Sequence, residues 1–363
     1  MKVLHLLNQA LTGRYPPTWV KALFAQWEVD YHYGERGVAL LCLRPDKLVD
    51  YLNRHQYDWL FWGWECQSLK LYQRVYESQR NFKILLFGQE QPQRIDALRQ
   101  VQQFADLCVT SSPVYQDEVD GFLPFGIHTA HGQYLSSTFA TKKNQILLTG
   151  SYRHSRCQVY ERLLAQQPFA WPVVWFPPYL ATNHAEGDRF RELAQIYPDA
   201  VLGQGELGHD AVSSAQGYIP AMMKHLAESK LHLDFTTNSS NWLKFHEDCD
   251  VIMAQCRMLK GGYCPERVLD AMFLHCHSLC LYDKAVEAVV GDRVTYYDSM
   301  DDLLSKTRRL IQSLDAGQVS AERAAVYPSL TTENIIKTLA TMFRTGQVIP
   351  LVQTVDASAL NLS

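Results

Sequence analysis

The segment PERVLDAMFLHCHSLCLYD, residues 265–283, has the pattern of a helix whose end packs against a strand. Pro265 suits the first turn of a helix, where its missing N–H costs nothing. Val268, Leu269 and Met272 then form an apolar stripe at helical spacing. A helix that leads into an apolar strand is the repeating unit of a parallel α/β sheet, so the segment predicts that architecture.

The same segment crowds two histidines and two cysteines into six residues, which raises the alternative of a metal site; they are His275, Cys276, His277 and Cys280. A zinc site needs four ligands that converge, usually from paired turns such as C-x2-C. Consecutive residues diverge by about 100° on a helix and point to opposite faces of a strand. The sequence offers no second C-x2-C or H-x3-H pair. We therefore expect the cysteines to be small buried apolar residues, and no metal here.

The rest of the chain alternates between apolar runs and amphipathic stretches. In the first half this predicts a helix over 16–30 and strands at 2–7, 37–43, 57–64, 82–88 and 105–112. In the second half it predicts strands at 145–151, 200–205, 231–235, 249–256 and 293–298. The fold class is therefore α/β, with two Rossmann-like doubly wound domains facing a cleft. We expect an N-terminal domain over 1–142, a C-terminal domain over 143–330, and a C-terminal helix and tail over 331–363.

Composition narrows the class of protein. The chain has 363 residues, 47% hydrophobic and 20% charged, with a formal net charge of −4. This suits a globular protein and does not indicate a nucleic-acid or membrane surface. No apolar run approaches the roughly 18 residues of a membrane span. The N-terminus lacks a signal-peptide pattern, and the nine cysteines are dispersed. We expect reduced thiols and a cytoplasmic location.

A loop with glycines, KGGYC at residues 260–264, opens into the helix of the first segment. A helix start presents unpaired N–H groups and a positive dipole end, which together suit an anion. Arg257, Lys260 and Arg267 add positive charge nearby, and Asp270 lies one turn into the helix. This combination fits the diphosphate and ribose of a nucleotide; solvated surface charges are the alternative.

The helix–strand segment resembles the xxRxFEAxAxGxxLLxD segment of GT-B glycosyltransferases, especially the spore-maturation CgeB-like group. Other segments resemble the family in the same order: FGQEQPQRIDALRQVQQFADLCVTSS (87–112), VDGFLPFGIH (119–128), QILLTGSYRHSRCQVYERLL (145–164), GYIPAMMKHLAESKLHLDF (217–235) and VTYYDSMDDLLSKTRRLI (294–311). The resemblance implies transfer of a sugar from a nucleotide-sugar donor to an unidentified acceptor. It also implies that no metal and no cofactor is needed besides the nucleotide-sugar co-substrate.

The resemblance places the donor on the second domain. Asp270 would accept hydrogen bonds from the ribose, as a ligand rather than a core group. Arg153, Arg156 or Lys260 would neutralise the departing diphosphate, with Arg267 as a further candidate. The backbone around Tyr218 and Ile219 would lie along the edge of the nucleotide base. The implied donor-binding residues are Gly150, Ser151, Arg153, Tyr218, Ile219, Lys260, Gly261, Arg267 and Asp270.

On the first domain the resemblance implies a catalytic acid or base and the acceptor site. Glu90 is the first choice, either as a base that activates an acceptor hydroxyl or as a group that orients a donor hydroxyl, and His128 and His131 are its rivals. The acceptor-binding residues would be Arg14, Trp64 and Glu65, which end or follow predicted strands and are chosen for that place and because aromatic faces pack on sugar rings, not from the resemblance. Trp59 and Trp62 are equally well explained by core packing.

The sequence also departs from the family pattern. The residue after the helix, usually Gly in the family, is His275 or Cys276, and the ribose-binding Glu is Asp270. The first acid of the related Glu-x7-Glu pattern is Gly262, and about 13 residues between Asp234 and Cys249 form an insertion. Two alternatives stay open: a degenerate GT-B binding module without turnover, which the missing first acid favours, and a nucleotide-sugar epimerase, which has the same fold.

Overall fold

The computed structural model divides the chain into two compact units. The first comprises Met1–His128, Gly262–Cys264 and Ser329–Asp356; the second comprises Thr129–Gly261, Pro265–Pro328 and Ala357–Ser363. The described residues are 1–6, 17–34, 44–64, 69–88, 95–124, 126–127, 129–135, 138–150, 154–167, 169–176, 192–201, 215–235, 248–260, 264–327, 329–349 and 351.

The first unit is built on a parallel sheet. Its described strands are β1 (Lys2–Leu6), β2 (Asp30–Tyr33), β3 (Trp59–Trp64), β4 (Lys83–Gly88), β5 (Leu107–Thr110) and β6 (Gly121–Phe122), in the order β2-β1-β3-β4-β5-β6. The helices between them are α1 (Pro17–Ala25), α2 (Pro45–Arg54), α3 (Leu69–Glu77) and α4 (Ile95–Val101). Both faces of this sheet are covered by apolar clusters, which explains why the strands read as continuous apolar runs.

The second unit is built on another parallel sheet. Its described strands are β7 (Lys143–Thr149), β8 (Val173–Phe176), β9 (Ser229–Asp234), β10 (His277–Leu281) and β11 (Thr295–Tyr297), in the order β11-β10-β9-β7-β8. The helices are α5 (His154–Gln166), α6 (Ala215–Glu228), α7 (Cys249–Lys260), α8 (Glu266–Phe273), α9 (Lys284–Val290), α10 (Met300–Ser313) and α11 (Ala316–Val326). On the central strand β9, Leu231 and Leu233 join the main apolar cluster, so His232 and Asp234 project from the other face.

The last helix, α12 (Thr332–Thr345), belongs to the first unit. The Thr331 side chain caps its start by accepting from the backbone N–H of Asn334, and Gly346 ends it at φ +67°. Its apolar face lies in the same core cluster as β1 and β3. Trp59 Nε1 donates to the carbonyl of Phe343 over 2.8 Å. The segment predicted as a separate helix and tail therefore contributes to a core near the start of the chain.

The α/β class with two Rossmann-like sheets is confirmed, and two predicted elements are corrected. Residues 249–256 form the start of α7, because Cys249, Ile252, Met253 and Cys256 share one buried helical face and not the two faces of a strand. The helix predicted over 16–30 ends at Ala25, and Asp30 begins β2.

The predicted strand at 37–43 and most of the one at 200–205 lie outside the described residues. The second unit begins at Thr129, where the sequence suggested a boundary after residue 142. Among the described residues, none of the helices combines the length and the apolarity that a membrane crossing requires.

Candidate functional site

The turn after β7 forms the first part of the candidate site, at the carboxyl edge of the second unit's sheet. Gly150 follows the strand and has φ +109°, a conformation that favours glycine. A Cβ at this position would lie 2.7 Å from Cζ of Arg156. Glycine therefore leaves room for a guanidinium group directly against the turn.

Arg156 lies in the first turn of α5 and is buried. Its Nε donates to the carbonyl of Phe235, the residue after β9, over 2.9 Å. Burial lowers the pKa of Arg156; neighbouring Arg267 lowers it further, whereas Asp234 opposes the shift. An arginine remains protonated at neutral pH even so. The positively charged guanidinium of Arg156 is therefore held against the carboxyl ends of both β7 and β9.

Arg267 joins α8 to the same edge of the sheet. Its Nε donates to Oδ1 of Asp234, the last residue of β9. The Arg267 side chain is 16% exposed and that of Asp234 only 3%, so the ion pair is largely shielded from water. Tyr297 donates its hydroxyl proton to the Asp234 carbonyl over 3.0 Å. These contacts fix the first turn of α8 against the ends of β9 and β11.

Asp270, one turn further along α8, is completely buried. Its Oδ1 lies 3.3 Å from Nδ1 of His131, in the 3₁₀ helix Thr129–Tyr134. The sequence predicts a ligand rather than a core group, and the burial differs from that expectation. The reason is packing: α8 is buried from Val268 to Phe273, so its carboxylate is enclosed as well. The assignment of Asp270 to the ribose stays a prediction.

A buried polar chain crosses the sheet beside these residues. His232 Nε2 lies 2.8 Å from Oγ1 of Thr149, and its Nδ1 lies 3.2 Å from Oγ of Ser278. Burial lowers the pKa of His232 to about 4, so the ring is neutral at pH 7. Sequence reasoning missed this histidine, although a polar residue between two leucines of a buried strand is a usable signal.

The structure brings Gly150 and Arg156 together and places Arg267 near them, whereas Asp270, three residues further along α8, contacts His131. The backbone places Tyr218 and Ile219 in α6, Lys260 at the end of α7 and Trp64 at the end of β3. Seven predicted site residues lie outside the described residues: Arg14, Glu65, Glu90, His128, Ser151, Arg153 and Gly261. Trp59 and Trp62 are core residues of the first unit.

The histidine and cysteine cluster after α8 has other partners. His275 Nε2 accepts from Arg323 over 3.2 Å. His277 Nδ1 lies 2.8 Å from Oε1 of Glu322, and Cys276 and Cys280 are buried. Across the part of the chain that the structure describes, no group of three or more His, Cys, Asp or Glu side chains could hold a metal ion.

Structural comparison relates the whole chain to known proteins. Sucrose-phosphate synthase from Thermosynechococcus elongatus superimposes with a TM-score of 0.59 at 11% identity, over 95% of this chain and 98% of that one. A trehalose-6-phosphate protein from E. coli, bound with UDP-2-fluoro glucose, superimposes with a TM-score of 0.60 at 11% identity, over 96% of this chain and 100% of that one. A putative UDP-N-acetylglucosamine 2-epimerase from Listeria monocytogenes superimposes with a TM-score of 0.54 at 10% identity, over 94% of this chain and 95% of that one.

These likenesses establish the class of fold. The chain has the GT-B fold of the glycosyltransferases among its structural neighbours. The sequence matches no protein-family model, and no curated protein matches it either. The resemblance to the CgeB-like group stays a prediction.

Proposed function

We propose that the chain is a metal-independent glycosyltransferase that moves a sugar from a nucleotide-sugar donor to an acceptor. The observation that carries the proposal is the fixed guanidinium of Arg156 against the Gly150 turn. Doubly wound sheets bind ligands at the carboxyl ends of their strands, which is the edge that these residues occupy. The start of α5 adds the positive end of a helix dipole there.

The chemistry of sugar transfer gives such a charge a role. Breaking the bond between the sugar and the diphosphate leaves negative charge on the departing diphosphate. A cation already held in place stabilises that charge more in the transition state than in the ground state. Arg156 would supply this stabilisation, and Arg267 would contribute less because Asp234 balances much of its charge.

The catalytic residue in the proposal follows the resemblance, and the acceptor residues follow from their places at or after the ends of predicted strands of the first domain. Glu90 would activate the acceptor hydroxyl, with His128 as the rival, and the acceptor would contact Arg14, Trp64 and Glu65. Glu90→Gln and His128→Gln, compared side by side, identify the base. The base variant should lose transfer to an acceptor while it keeps nucleotide affinity.

The test is a screen of UDP-, GDP- and ADP-sugars for release of the free nucleoside diphosphate, with EDTA present throughout. We expect release from one class of donor. Arg156→Gln should lower its rate about 100-fold, the usual effect of removing one transition-state donor. Arg74→Gln is the matched control, because it removes an exposed guanidinium that pairs with Asp46 in the first unit. A screen without release, or a fully active Arg156→Gln, contradicts the proposal.

An epimerase is the second candidate, since the Listeria monocytogenes neighbour is described as a putative UDP-N-acetylglucosamine 2-epimerase. Product analysis separates the two functions. An epimerase would change the configuration of the sugar at C2, whereas transfer to an acceptor or to water changes the bond at C1. The degenerate binding module would give no product from any nucleotide sugar.

A further inference from the structure

A hydrogen-bonded series of side chains lies at the amino ends of β10 and β11, on the opposite edge of the second unit's sheet from the Gly150 turn. His277 is the first residue of β10 and Thr295 the first residue of β11, and the two strands are parallel. Nε2 of His277 lies 2.9 Å from Oγ1 of Thr295. Its Nδ1 lies 2.8 Å from Oε1 and 2.9 Å from Oε2 of Glu322. A hydroxyl, an imidazole and a carboxylate are therefore joined in sequence.

The carboxylate fixes the direction of these hydrogen bonds. A carboxylate oxygen only accepts, so the imidazole proton lies on Nδ1, and Nε2 of the neutral ring accepts from the Thr295 hydroxyl. Gln318, four residues before Glu322 in α11, donates its Nε2 to Oε1 of Glu322 over 2.9 Å, which holds the carboxylate in place. A hydroxyl within reach of a base that a third group orients is the arrangement of an activated nucleophile.

Access to solvent differs along this series. The His277 side chain is 2% exposed and that of Glu322 is 6% exposed. Thr295 is only half-buried, and its strand β11 is the first in the described strand order of the sheet, at one side of it. An approaching molecule therefore reaches the hydroxyl first, while the base and the carboxylate behind it are shielded from water.

We propose that Thr295 is a nucleophile that accepts an acyl group from an ester, with His277 as its general base and Glu322 as a positioning residue. Oγ1 of Thr295 attacks the carbonyl carbon of the ester while Nε2 of His277 takes the hydroxyl proton. The bond from that carbon to the alcohol oxygen then breaks, and the alcohol leaves with the proton from Nε2. The products are an acyl ester on Thr295 and the free alcohol, with the imidazole neutral again.

The composition of the cluster favours acyl transfer over phosphoryl transfer. Phosphoryl transfer depends on cations that hold and neutralise the phosphate. The side chains joined in this cluster are Thr295, His277, Glu322 and Gln318, and none of the four is a cation while the ring is neutral. A carbonyl carbon requires only the nucleophile and its base. The inference goes beyond the proposed function, because it involves neither a nucleotide nor the edge of the sheet that carries Gly150.

The experiment treats the full chain with p-nitrophenyl acetate, follows the release of p-nitrophenolate, and locates the acetyl group by mass spectrometry of peptides. We expect acetyl on Thr295 and a burst of p-nitrophenolate that is stoichiometric with the chain. Thr345 is the control within the same molecule. It is exposed, and its hydroxyl donates to the carbonyl of Thr341 over 2.9 Å. Its acetylation should be about 100-fold slower although it is more exposed, because no base activates it.

Substitutions separate the roles of the three side chains. Thr295→Val removes the hydroxyl at nearly constant shape and should abolish the burst, whereas Thr295→Ser keeps the hydroxyl and should keep the burst. His277→Gln should lower the rate of acetylation about 100-fold, because the base is lost. Glu322→Gln should lower the maximal rate by a similar factor and leave the half-saturating concentration of the ester unchanged, because Glu322 does not contact the ester. Thermal unfolding shows which variants fold as the wild type does.

Two outcomes overturn the inference, and both leave the proposed function intact because the turnover of nucleotide sugars is measured separately. One is a wild-type chain in which Thr295 is acetylated no faster than Thr345. The other is a Thr295→Val variant that keeps the burst. If the variants of His277 and Glu322 do not fold, the comparison of Thr295 with Thr345 in the wild type decides the question by itself.

Discussion

At the scale of single residues, Gly150 is the position where the backbone and the chemistry constrain each other. Its φ of +109° strains any side chain, and a Cβ would contact a buried guanidinium. We predict that Gly150→Ala lowers the free energy of unfolding by about 1–3 kcal/mol. Nucleotide affinity should fall as well, because Arg156 must move. Urea unfolding and calorimetry measure the two effects.

Gly132→Ala is the matched control for that substitution. A Cβ at Gly132 meets only the ring of Phe273, at an ordinary contact distance of 3.7 Å. Its free energy of unfolding should change by less than about 0.5 kcal/mol. Equal effects of the two alanines would show that the turn after β7 imposes no special constraint.

The sequence identified Arg156, Arg267 and Asp270 as site candidates, but not the residues that hold them. The Arg267 partner, Asp234, is 33 residues away in the chain, and the Asp270 partner, His131, is 139 residues away. Charge and spacing along one helix indicate where a polar residue lies. They do not indicate which distant side chain encloses it, since that depends on how the elements pack.

At the scale of secondary-structure elements, Lys142 joins the ends of two helices in the second unit. Its Nζ donates to the carbonyl of Leu274 over 2.8 Å, just after α8, and to the carbonyl of Ala227 in the last turn of α6. Burial lowers the pKa of Lys142. The ammonium supplies donors to helix-end carbonyls that lack partners within their own helices.

We predict that Lys142→Met lowers the free energy of unfolding by about 2–4 kcal/mol, because buried carbonyls lose their donor. Lys143→Met is the control on the adjacent residue. Lys143 is 59% exposed and pairs with Glu228, so its loss should cost less than about 1 kcal/mol. Chemical denaturation of both variants tests this. Similar losses would mean that the buried ammonium does not connect the helices.

His275 ends α8 in the left-handed conformation, with φ +56°. Glycine is favoured at such a position. We predict that His275→Gly is more stable than His275→Ala by about 1 kcal/mol, because both lose the contact with Arg323 and only glycine relieves the backbone. Thermal unfolding of the pair measures the difference. An alanine variant of equal stability would contradict the backbone explanation.

At the scale of the whole molecule, the apolar runs sufficed to predict two parallel α/β sheets, because strands buried on both faces need continuous apolar residues. The apolar runs gave a wrong prediction where a segment is as apolar as a buried strand but its buried residues recur at the spacing of a helix. Residues 249–256 are apolar enough for a strand, yet their buried positions repeat at helical spacing. The placement of α12 in the first unit depends on contacts such as Trp59 with Phe343, which no local pattern encodes.

Each unit also buries a histidine in its core, which makes the stability of the molecule depend on pH. Burial lowers the pKa of His5 in the first unit to about 3 and that of His232 in the second to about 4. The unfolded chain takes up a proton at each ring near pH 6.5, whereas the folded chain does not until the pH falls to the lowered values. Stability contributed by these neutral rings is therefore complete above pH 6.5 and is lost as the pH falls below it.

We predict that the free energy of unfolding falls by about 2 kcal/mol for each of the two histidines between pH 6.5 and pH 5. His232→Gln should reduce the slope in this range by about 1 kcal/mol per pH unit, because one proton fewer is bound on unfolding. His55→Gln, at an exposed position after α2, should keep the wild-type slope. Urea unfolding at pH 7, 6 and 5 measures all three chains. If His232→Gln unfolds with the wild-type dependence on pH, then the ring of His232 takes up its proton over the same pH range in the folded protein as in the unfolded chain, and burial beside Thr149 and Ser278 does not keep it neutral.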